Sequence, residues 1–337
     1  MYRVALRLTV AAILVAILAS SPPSLLAQES ISRPGPADKP TTVRIAVAIL
    51  DVDNVNGAAQ SFDANVYYEV RWRDERLVRD QPGDRLFKIG EIWTPRIILA
   101  NEQRAWRTMP EFYEVSPDGE VTYTQRVWGS FSQPLDLREF PFDTQRFKIL
   151  FVSTRFDQSE IRLVSDPKFS SIIADRLSVP NWRVLSTSID LSAYKVVAEE
   201  AGTPAFTFSF TAKRVVNYYL IFIVLPLALI VAMSWIVFWI DATEMGTRFS
   251  IAITSMLTLI AYRFAVAGEL PNISYLTRMD VFMVGSTVLV FSALLAVATS
   301  SRLVRRDKVE RARAINRVSR YAFPGAFTAL TVASFVT

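Results

Sequence analysis

The stretch Thr247–Ala267 reads TRFSIAITSMLTLIAYRFAVA, and it is long and apolar enough to cross a membrane as one helix. Five of its residues recur at intervals of four and three, so a helix places them on one stripe: Ser250, Thr254, Leu257, Ala261 and Phe264. The stripe is polar at one end and bulky and apolar at the other. This gradient is typical of a helix that lines a narrow pore, because hydroxyls replace part of an ion's hydration and an apolar ring closes the path by dewetting.

Three further apolar stretches complete a predicted bundle of four transmembrane helices within residues 215–337: Tyr218–Ile240, Val281–Ser300 and Tyr321–Val336. The segment Arg302–Arg320 is predicted to be a short loop. It carries eight Lys or Arg residues against two acids, a balance of +6. By the positive-inside rule this loop is cytoplasmic, so the N-terminal region and the C-terminus are expected outside, in the periplasm of a cell with an inner membrane.

The N-terminus has the order of a secretory signal peptide, predicted over residues 1–27. Arg3 and Arg7 precede an apolar run from Leu8 to Leu18, and small residues follow. The alternative is an uncleaved first membrane helix. Residues 28–40, rich in Ser, Pro, Gly and charges, are predicted to be a flexible lead-in.

The chain contains no cysteine and no histidine. This excludes disulfides, thiolate nucleophiles and Cys/His metal sites, so we expect no catalytic residue, no metal and no cofactor. Proton sensing would have to use carboxylates or other groups with shifted pKa values. The formal charge of +5 arises from the basic loop and from Arg3 and Arg7, which argues against a nucleic-acid partner.

Residues 41–214 are predicted to form an all-β sandwich. Short runs rich in Val, Ile, Phe, Tyr and Thr alternate with turn signals such as Asn56-Gly57 and Pro117-Asp118-Gly119. The last of these runs, Ala205–Ala212, continues through Lys213-Arg214 into the first apolar span with almost no linker. This tight connection predicts mechanical coupling between the sandwich and the helices.

The stretch Gln133–Phe147 reads QPLDLREFPFDTQRF and resembles the signature loop of the pentameric ligand-gated ion channels, including its Phe-Pro-x-Asp centre. Gln133 and Phe147 occupy the positions of the cysteines that close this loop in animal members, so the chain resembles the prokaryotic, cysteine-free branch. Other motifs of the family follow in the same order along the chain: Trp72-Arg73-Asp74, Trp93-Thr94-Pro95 with Asn101, Arg214, Pro226, Leu270-Pro271 and Tyr321-Ala322-Phe323-Pro324.

The resemblance implies an immunoglobulin-like extracellular sandwich followed by four helices, with five identical subunits around a central pore in a lipid bilayer. It places the stripe of Thr247–Ala267 in the pore, with Ser250 and Thr254 as hydrated rings and Leu257 and Phe264 as the candidate gate. The alternative for Leu257 and Phe264 is packing against neighbouring helices. Glu244, near the cytoplasmic mouth, favours permeant cations. The competing interpretations are an interfacial charge at Glu244 and anion selectivity.

The family also brings an acid and an arginine together where the sandwich meets the membrane, here Asp143 and Arg214. Phe140, Pro141 and Pro271 are expected beside them, together with the β-turn near Val55–Ala58. The pair is expected to couple ligand binding to the pore, and the alternative is a purely structural clamp.

The ligand-pocket candidates are aromatic residues: Tyr67, Phe156, Tyr194 and Phe206. The last three are equally compatible with the sandwich core, and no full aromatic cage for an amine is evident. Protons are a second candidate agonist, through carboxylates such as Glu199 and Glu200. The sequence therefore predicts a ligand-gated ion channel opened by a small molecule or protons. The alternative is a non-channel membrane receptor or assembly protein with a β-sandwich ectodomain.

Overall fold

A computed structural model describes residues 32–168, 171–195, 202–271 and 273–335. The predicted signal peptide, Glu199 and Glu200 lie outside these described residues. An N-terminal β-sandwich is followed by a bundle of helices, which confirms the predicted fold class. The first strand begins at Thr41 and the last ends at Arg214, at the two limits predicted for the sandwich.

The sandwich consists of two sheets that are mostly antiparallel. One sheet has the order β10-β1-β2-β7-β6-β3, with β5 paired to β7 and β9 paired to β1. The other has the order β11-β13-β8-β4, with β12 paired to β13. The strands are β1 Thr41–Asn56, β2 Ser61–Arg73, β3 Arg85–Lys88, β4 Ile97–Leu99, β5 Glu102–Arg107, β6 Phe112–Val115, β7 Glu120–Ser132, β8 Thr144–Ser153, β9 Ile161–Ser165, β10 Ile172–Ile173, β11 Trp182–Asp190, β12 Ala193–Tyr194 and β13 Thr203–Arg214.

Aromatic rings from both sheets fill the sandwich core near the helices. Phe62 of β2 lies 5.6 Å from Phe131 of β7 and 5.1 Å from Phe147 of β8, measured between ring centroids. Phe210 of β13 stacks on Phe147 at 5.0 Å. All four side chains are almost completely buried. Because β-strand side chains alternate between faces, each strand contributes these rings while presenting polar residues to the other side.

Two of the family motifs have structural roles in the sandwich. Trp72 is buried and makes an edge contact with Trp93 at 5.9 Å. The Asn101 amide donates to the Lys148 carbonyl at 2.8 Å and accepts from the Leu150 amide at 3.1 Å. Asn101 thereby fixes the loop after β4 against β8, and the two tryptophans pack inside the sandwich.

Four helices follow the sandwich: α1 Asn217–Phe238, α2 Met245–Val266, α3 Arg278–Arg305 and α4 Val309–Phe335. In α1, a π-helical turn at Leu220–Val224 ends two residues before Pro226, whose ring nitrogen has no hydrogen to donate. The stretches Asn217–Phe238, Met245–Glu269 and Arg278–Arg305 are long and apolar enough to cross a membrane. The part of α4 after Arg320 is apolar but short, about 22 Å by helical rise.

The predicted loop over residues 302–320 is wrong. Helix α3 continues to Arg305 and α4 begins at Val309, so only residues 306–308 connect them. Asp307, with a φ of 55°, makes the reversal. Arg, Lys, Glu and Ala are good helix formers, and Arg313 pairs with Glu310 one turn away at 3.0 Å. The basic residues therefore mark where the apolar span ends, but the helix extends beyond it.

Candidate pore helix and coupling interface

The predicted stripe of α2 is the face that its own subunit leaves uncovered. Ser250, Thr254 and Ala261 are exposed, as are 61% of Leu257 and 80% of Phe264. The opposite face of α2 packs against the other helices and includes the completely buried Leu259 and the nearly buried Ala252. Packing of Leu257 and Phe264 against helices of the same subunit is therefore excluded within the described residues, and the stripe is free to face a pore.

The end of α2 remote from the sandwich carries a residue whose role the sequence did not indicate, Arg248. Its side chain is completely buried. The guanidinium donates to the Val237 carbonyl at 3.1 Å, the Ser300 hydroxyl at 2.9 Å and the Asn316 amide oxygen at 2.7 Å. It thus joins α2 to α1, α3 and α4. The sequence did contain one indication of this role. Arg248 is a charged residue inside an apolar span and off the stripe, and such residues face the interior of a helix bundle.

Glu244 lies immediately before the first residue of α2 and is exposed. Arg263, toward the other end of the helix, is also exposed. It lines a cavity of about 310 Å³ with Asp280 and Pro271, away from the stripe. Glu244 therefore lies beside the polar end of the stripe, where Ser250 stands. Neither Arg248 nor Arg263 belongs to the stripe.

The structure brings Asp143 and Arg214 together as expected. The Arg214 guanidinium donates through Nε to Asp143 Oδ1 at 2.7 Å and through Nη2 to Oδ2 at 3.1 Å. Asp143 is 2% exposed and Arg214 9% exposed. Such a buried bidentate pair is geometrically specific, and removal of one partner leaves a buried charge without compensation.

Three aromatic rings surround the Arg214 guanidinium and connect the pair to α1. Its carbon Cζ lies 4.2 Å from the ring centroid of Trp182, 4.9 Å from that of Phe140 and 5.8 Å from that of Tyr219. Tyr219 belongs to the first turn of α1, and Phe140 contacts its ring at 4.9 Å. The ion pair, these rings and the first turn of α1 therefore form one continuous packed contact between the sandwich and the helices.

The segment around the cis Phe140-Pro141 bond rests on the connection between α2 and α3. The Leu137 amide donates to the Tyr275 hydroxyl at 2.9 Å, and that hydroxyl donates to the Leu135 carbonyl at 3.1 Å. The Phe140 carbonyl accepts from the Met279 amide of α3 at 3.3 Å. The signature loop thus contacts the helical domain through backbone hydrogen bonds as well as through side chains.

The turn between β1 and β2 reaches the same place at Gly57. A Cβ atom at this glycine would lie 2.8 Å from Leu137 Cδ1 and 3.2 Å from the Cβ of Pro271. Gly57 therefore sits between the signature loop and Pro271 of the connection that follows α2, so the turn, the loop and Pro271 meet at one point as expected.

Among the described residues, the cavity that Tyr194 lines does not include Tyr67, Phe156 or Phe206. Phe206 is a correction: it is completely buried in the core, with its ring 6.0 Å from Phe151, because it belongs to the inward-facing set of β13. Phe156 is half-buried against Trp93 at 5.3 Å. Tyr67 donates from its hydroxyl to Glu69 at 2.6 Å, and burial together with that acid raises the pKa of Tyr67 to about 12. Tyr194 is 37% exposed on β12.

Several surface carboxylates of the sandwich are held in the ionised form. Hydrogen bonds from Ser116 and Ser159 lower the pKa of Asp118 and Asp157, respectively. At Asp51, burial acts to raise the pKa, but hydrogen bonds from Ser178 and Val52 outweigh it and lower the pKa. These three acids are therefore unsuited to sensing protons near neutral pH.

Comparison with known proteins agrees with this architecture. Residues 25–216 match the neurotransmitter-gated ion-channel ligand binding domain, and residues 223–311 match the neurotransmitter-gated ion-channel transmembrane region. A proton-gated ion channel of Gloeobacter violaceus is 27% identical over 323 residues, 94% of this chain and 89% of that protein. A gamma-aminobutyric acid receptor subunit beta of Caenorhabditis elegans is 27% identical over 277 residues, 79% of this chain and 50% of that protein. The chain is therefore a cysteine-free member of the pentameric ligand-gated ion-channel family and carries both its ligand-binding domain and its transmembrane region.

Proposed function

We propose that five copies of this chain form a channel in an inner membrane, with one α2 helix from each copy lining the pore. The observation that carries the proposal is the patterned face of α2, which the subunit leaves uncovered from Ser250 to Phe264. A closed ring of identical interfaces covers the flanks of each helix and leaves this stripe on the axis. Ser250 and Thr254 then form hydrated rings, and Leu257 and Phe264 form the apolar constriction that gates the path.

The proposed orientation places the sandwich and the C-terminus in the periplasm and the basic residues of Arg302–Arg320 in the cytoplasm. An agonist at the sandwich moves the signature loop, and the Asp143–Arg214 pair and the Gly57 contact transmit this movement to α1 and to Pro271. The gating role of these residues is supported by the burial of Asp143 and Arg214 and by the contacts that span both domains.

We further propose that the pore selects cations, with Glu244 as the selecting acid. Glu244 is exposed next to α2, whereas the nearest basic residue of that helix, Arg248, is buried and directed away from the stripe. The gamma-aminobutyric acid receptor relative makes anion selectivity the second candidate. The agonist is a small molecule or protons, and the proton-gated relative supports protons.

Current through the purified protein in planar bilayers tests the channel and its selectivity together. Under a KCl gradient, a cation pore reverses near the K⁺ equilibrium potential, and Glu244→Gln moves the reversal potential toward zero. Reversal near the Cl⁻ potential would overturn cation selectivity. An absence of current across a range of pH and of candidate agonists would favour a receptor without a pore.

Substitution of Leu257 tests the gate. Leu257→Ser wets the constriction, so we expect a higher open probability and activation at lower agonist concentration or smaller pH change. Leu229→Ser is the matched control, because Leu229 of α1 is 62% exposed and Leu257 is 61% exposed. Equal behaviour of the two variants in single-channel recordings would remove Leu257 from the gate.

A further inference from the structure

The turn between β1 and β2 begins with the dipeptide Asn56-Gly57. An asparagine before a glycine is chemically labile, because glycine has no side chain to shield its backbone nitrogen from the neighbouring side-chain amide. Asn56 is exposed, and the Gly57 amide hydrogen has no hydrogen-bond partner within the described residues. The nitrogen of Gly57 and the side-chain amide of Asn56 are therefore both available for reaction.

Hydrogen bonds hold the side chain of Asn56 along the turn and activate it. The Ala59 amide donates to Asn56 Oδ1 at 2.9 Å, and Gln60 Nε2 donates to the Gly57 carbonyl at 2.6 Å, which keeps the turn closed. A hydrogen bond to a carbonyl oxygen stabilises the negative charge that develops on this oxygen when a nucleophile attacks the carbon. The bond from Ala59 therefore makes Cγ of Asn56 more susceptible to attack.

We propose that Asn56 is a site of spontaneous deamidation. The Gly57 nitrogen loses its proton and bonds to Cγ of Asn56, the bond between Cγ and Nδ2 breaks, and ammonia leaves with that proton. The product is a cyclic succinimide, which a water molecule then opens. Addition of water at Cγ gives aspartate, and addition at the backbone carbonyl carbon of residue 56 gives isoaspartate. The net reaction consumes water and releases ammonia, without an oxidant or an enzyme.

The position of the turn gives this reaction a structural consequence. Isoaspartate adds a carbon atom to the main chain immediately before Gly57, and both products add a negative charge. Gly57 packs between Leu137 and Pro271, where even a methyl group would lie 2.8 Å from Leu137 Cδ1. A lengthened turn cannot keep both contacts, because close-packed groups leave no space for added atoms. Deamidation should therefore loosen the junction between the sandwich and the helical domain.

Incubation of the full-length protein in lipid nanodiscs at neutral and alkaline pH, followed by peptide mass spectrometry, tests the reaction. We expect the mass change of an amide-to-acid conversion at Asn56, and its rate should rise with pH because the attacking nitrogen must lose its proton. Labelling by a protein isoaspartate methyltransferase identifies the isoaspartate product. Asn54 is the internal control, since it is also exposed on β1 but precedes a β-branched residue, Val55. Its deamidation should be slower by about tenfold or more, because the branched side chain shields the backbone nitrogen.

Asn56→Ser separates this modification from general loss of the protein during incubation. Serine keeps an oxygen near the Ala59 amide but has no side-chain amide to lose. After incubation, the deamidated native protein should unfold at a lower SDS concentration than before, whereas Asn56→Ser should not change. Absence of the mass change, an equal rate at Asn54, or unchanged stability of the deamidated protein would overturn the proposal. An equal loss of stability in incubated Asn56→Ser would do the same. The readouts are mass and stability, so these outcomes are independent of whether the pore conducts.

Discussion

Two buried arginines hold opposite ends of the helical domain, and their surroundings differ. Arg214, where the sandwich meets α1, is paired with the Asp143 carboxylate and enclosed by three aromatic rings. Arg248, at the far end of α2, meets only a carbonyl, a hydroxyl and an amide oxygen. Within the described residues, no carboxylate lies within ion-pair distance of its guanidinium.

The neutral surroundings of Arg248 have a physical basis in the end of α1. The last carbonyls of that helix lack partners within the helix and carry its negative partial charge. Arg248 donates to the Val237 carbonyl at 3.1 Å, and Arg320 of α4 donates to the Phe238 carbonyl at 2.8 Å. Helix α1 is thus capped by arginines from two neighbouring helices. At one end of the domain a carboxylate balances the charge of the arginine, and at the other end the arginine binds the terminal carbonyl of a helix. Removal of one partner should therefore lower the free energy of unfolding by different amounts at the two ends.

The largest effect is expected for Asp143→Asn. This change leaves the buried Arg214 guanidinium without its countercharge, so we expect the free energy of unfolding to fall by about 3–5 kcal/mol. Unfolding in an SDS titration of the detergent-solubilised protein, followed by tryptophan fluorescence, measures the change. Asp136→Asn is the control, because the Asp136 side chain in the same loop is 65% exposed.

A double-mutant cycle with Arg214→Gln identifies the origin of this loss. If the cost arises from an unpaired charge, Asp143→Asn combined with Arg214→Gln should be more stable than Asp143→Asn alone. Recordings of the same variants distinguish coupling from a clamp, since a clamp changes the amount of folded protein without moving the activation curve. Additive losses of stability would contradict the role of the pair.

A smaller effect is expected for Arg248→Met. Removal of this guanidinium leaves neutral acceptors rather than a bare charge, so we expect a loss of about 2–3 kcal/mol in the same titration. Arg263→Met serves as control in the same helix, because Arg263 is exposed. A loss as large as that of Asp143→Asn would show that the two arginines do not differ in the way their surroundings indicate.

The sequence predicted one arginine of this comparison and missed the other, for a physical reason. Arg214 stands in a motif, and Asp143 belongs to the Phe-Pro-x-Asp centre of the signature loop, so the resemblance brought them together. The partners of Arg248 lie 11, 52 and 68 residues away and are uncharged. No charge pattern indicates such a set, because a carbonyl at a helix end is present in every helix.

The same difference between local patterns and long-range contacts explains which other parts of the fold were predicted correctly and which were not. The stripe from Ser250 to Phe264 was predictable because helical periodicity is a local property. The start of α4 at Val309 was not, since hydropathy reports the end of the apolar span and the helix extends beyond it. Phe206 was assigned to a ligand pocket because aromatic residues suit both a core and a binding surface, and only the packing of two sheets decides between them.

A third prediction concerns close packing at the domain boundary rather than charge. The added methyl group of Gly57→Ala would lie 2.8 Å from Leu137 Cδ1 and 3.2 Å from Pro271 Cβ, so the turn must move away from the signature loop and Pro271. We expect a loss of about 1–2 kcal/mol, because the Leu137 side chain yields part of the space. Weakened coupling should also require more agonist for half-maximal current. Gly246→Ala is the control, since no atom lies within 4 Å of its added Cβ.

The smallest effect is expected at Glu139, four residues before Asp143 in the same loop. Glu139 forms an ion pair with Arg278 at the start of α3, but its side chain is 56% exposed. Solvent screens such a pair, so Glu139→Gln should cost less than about 1 kcal/mol, and the difference from the native protein should vanish in about 1 M NaCl. The loss in Asp143→Asn should persist at that salt concentration, because its partner is buried. A loss of stability in Glu139→Gln that persists at high salt would mean that the difference in burial does not make Glu139 and Asp143 contribute differently to stability. The structural clamp would then extend to the first residues of α3.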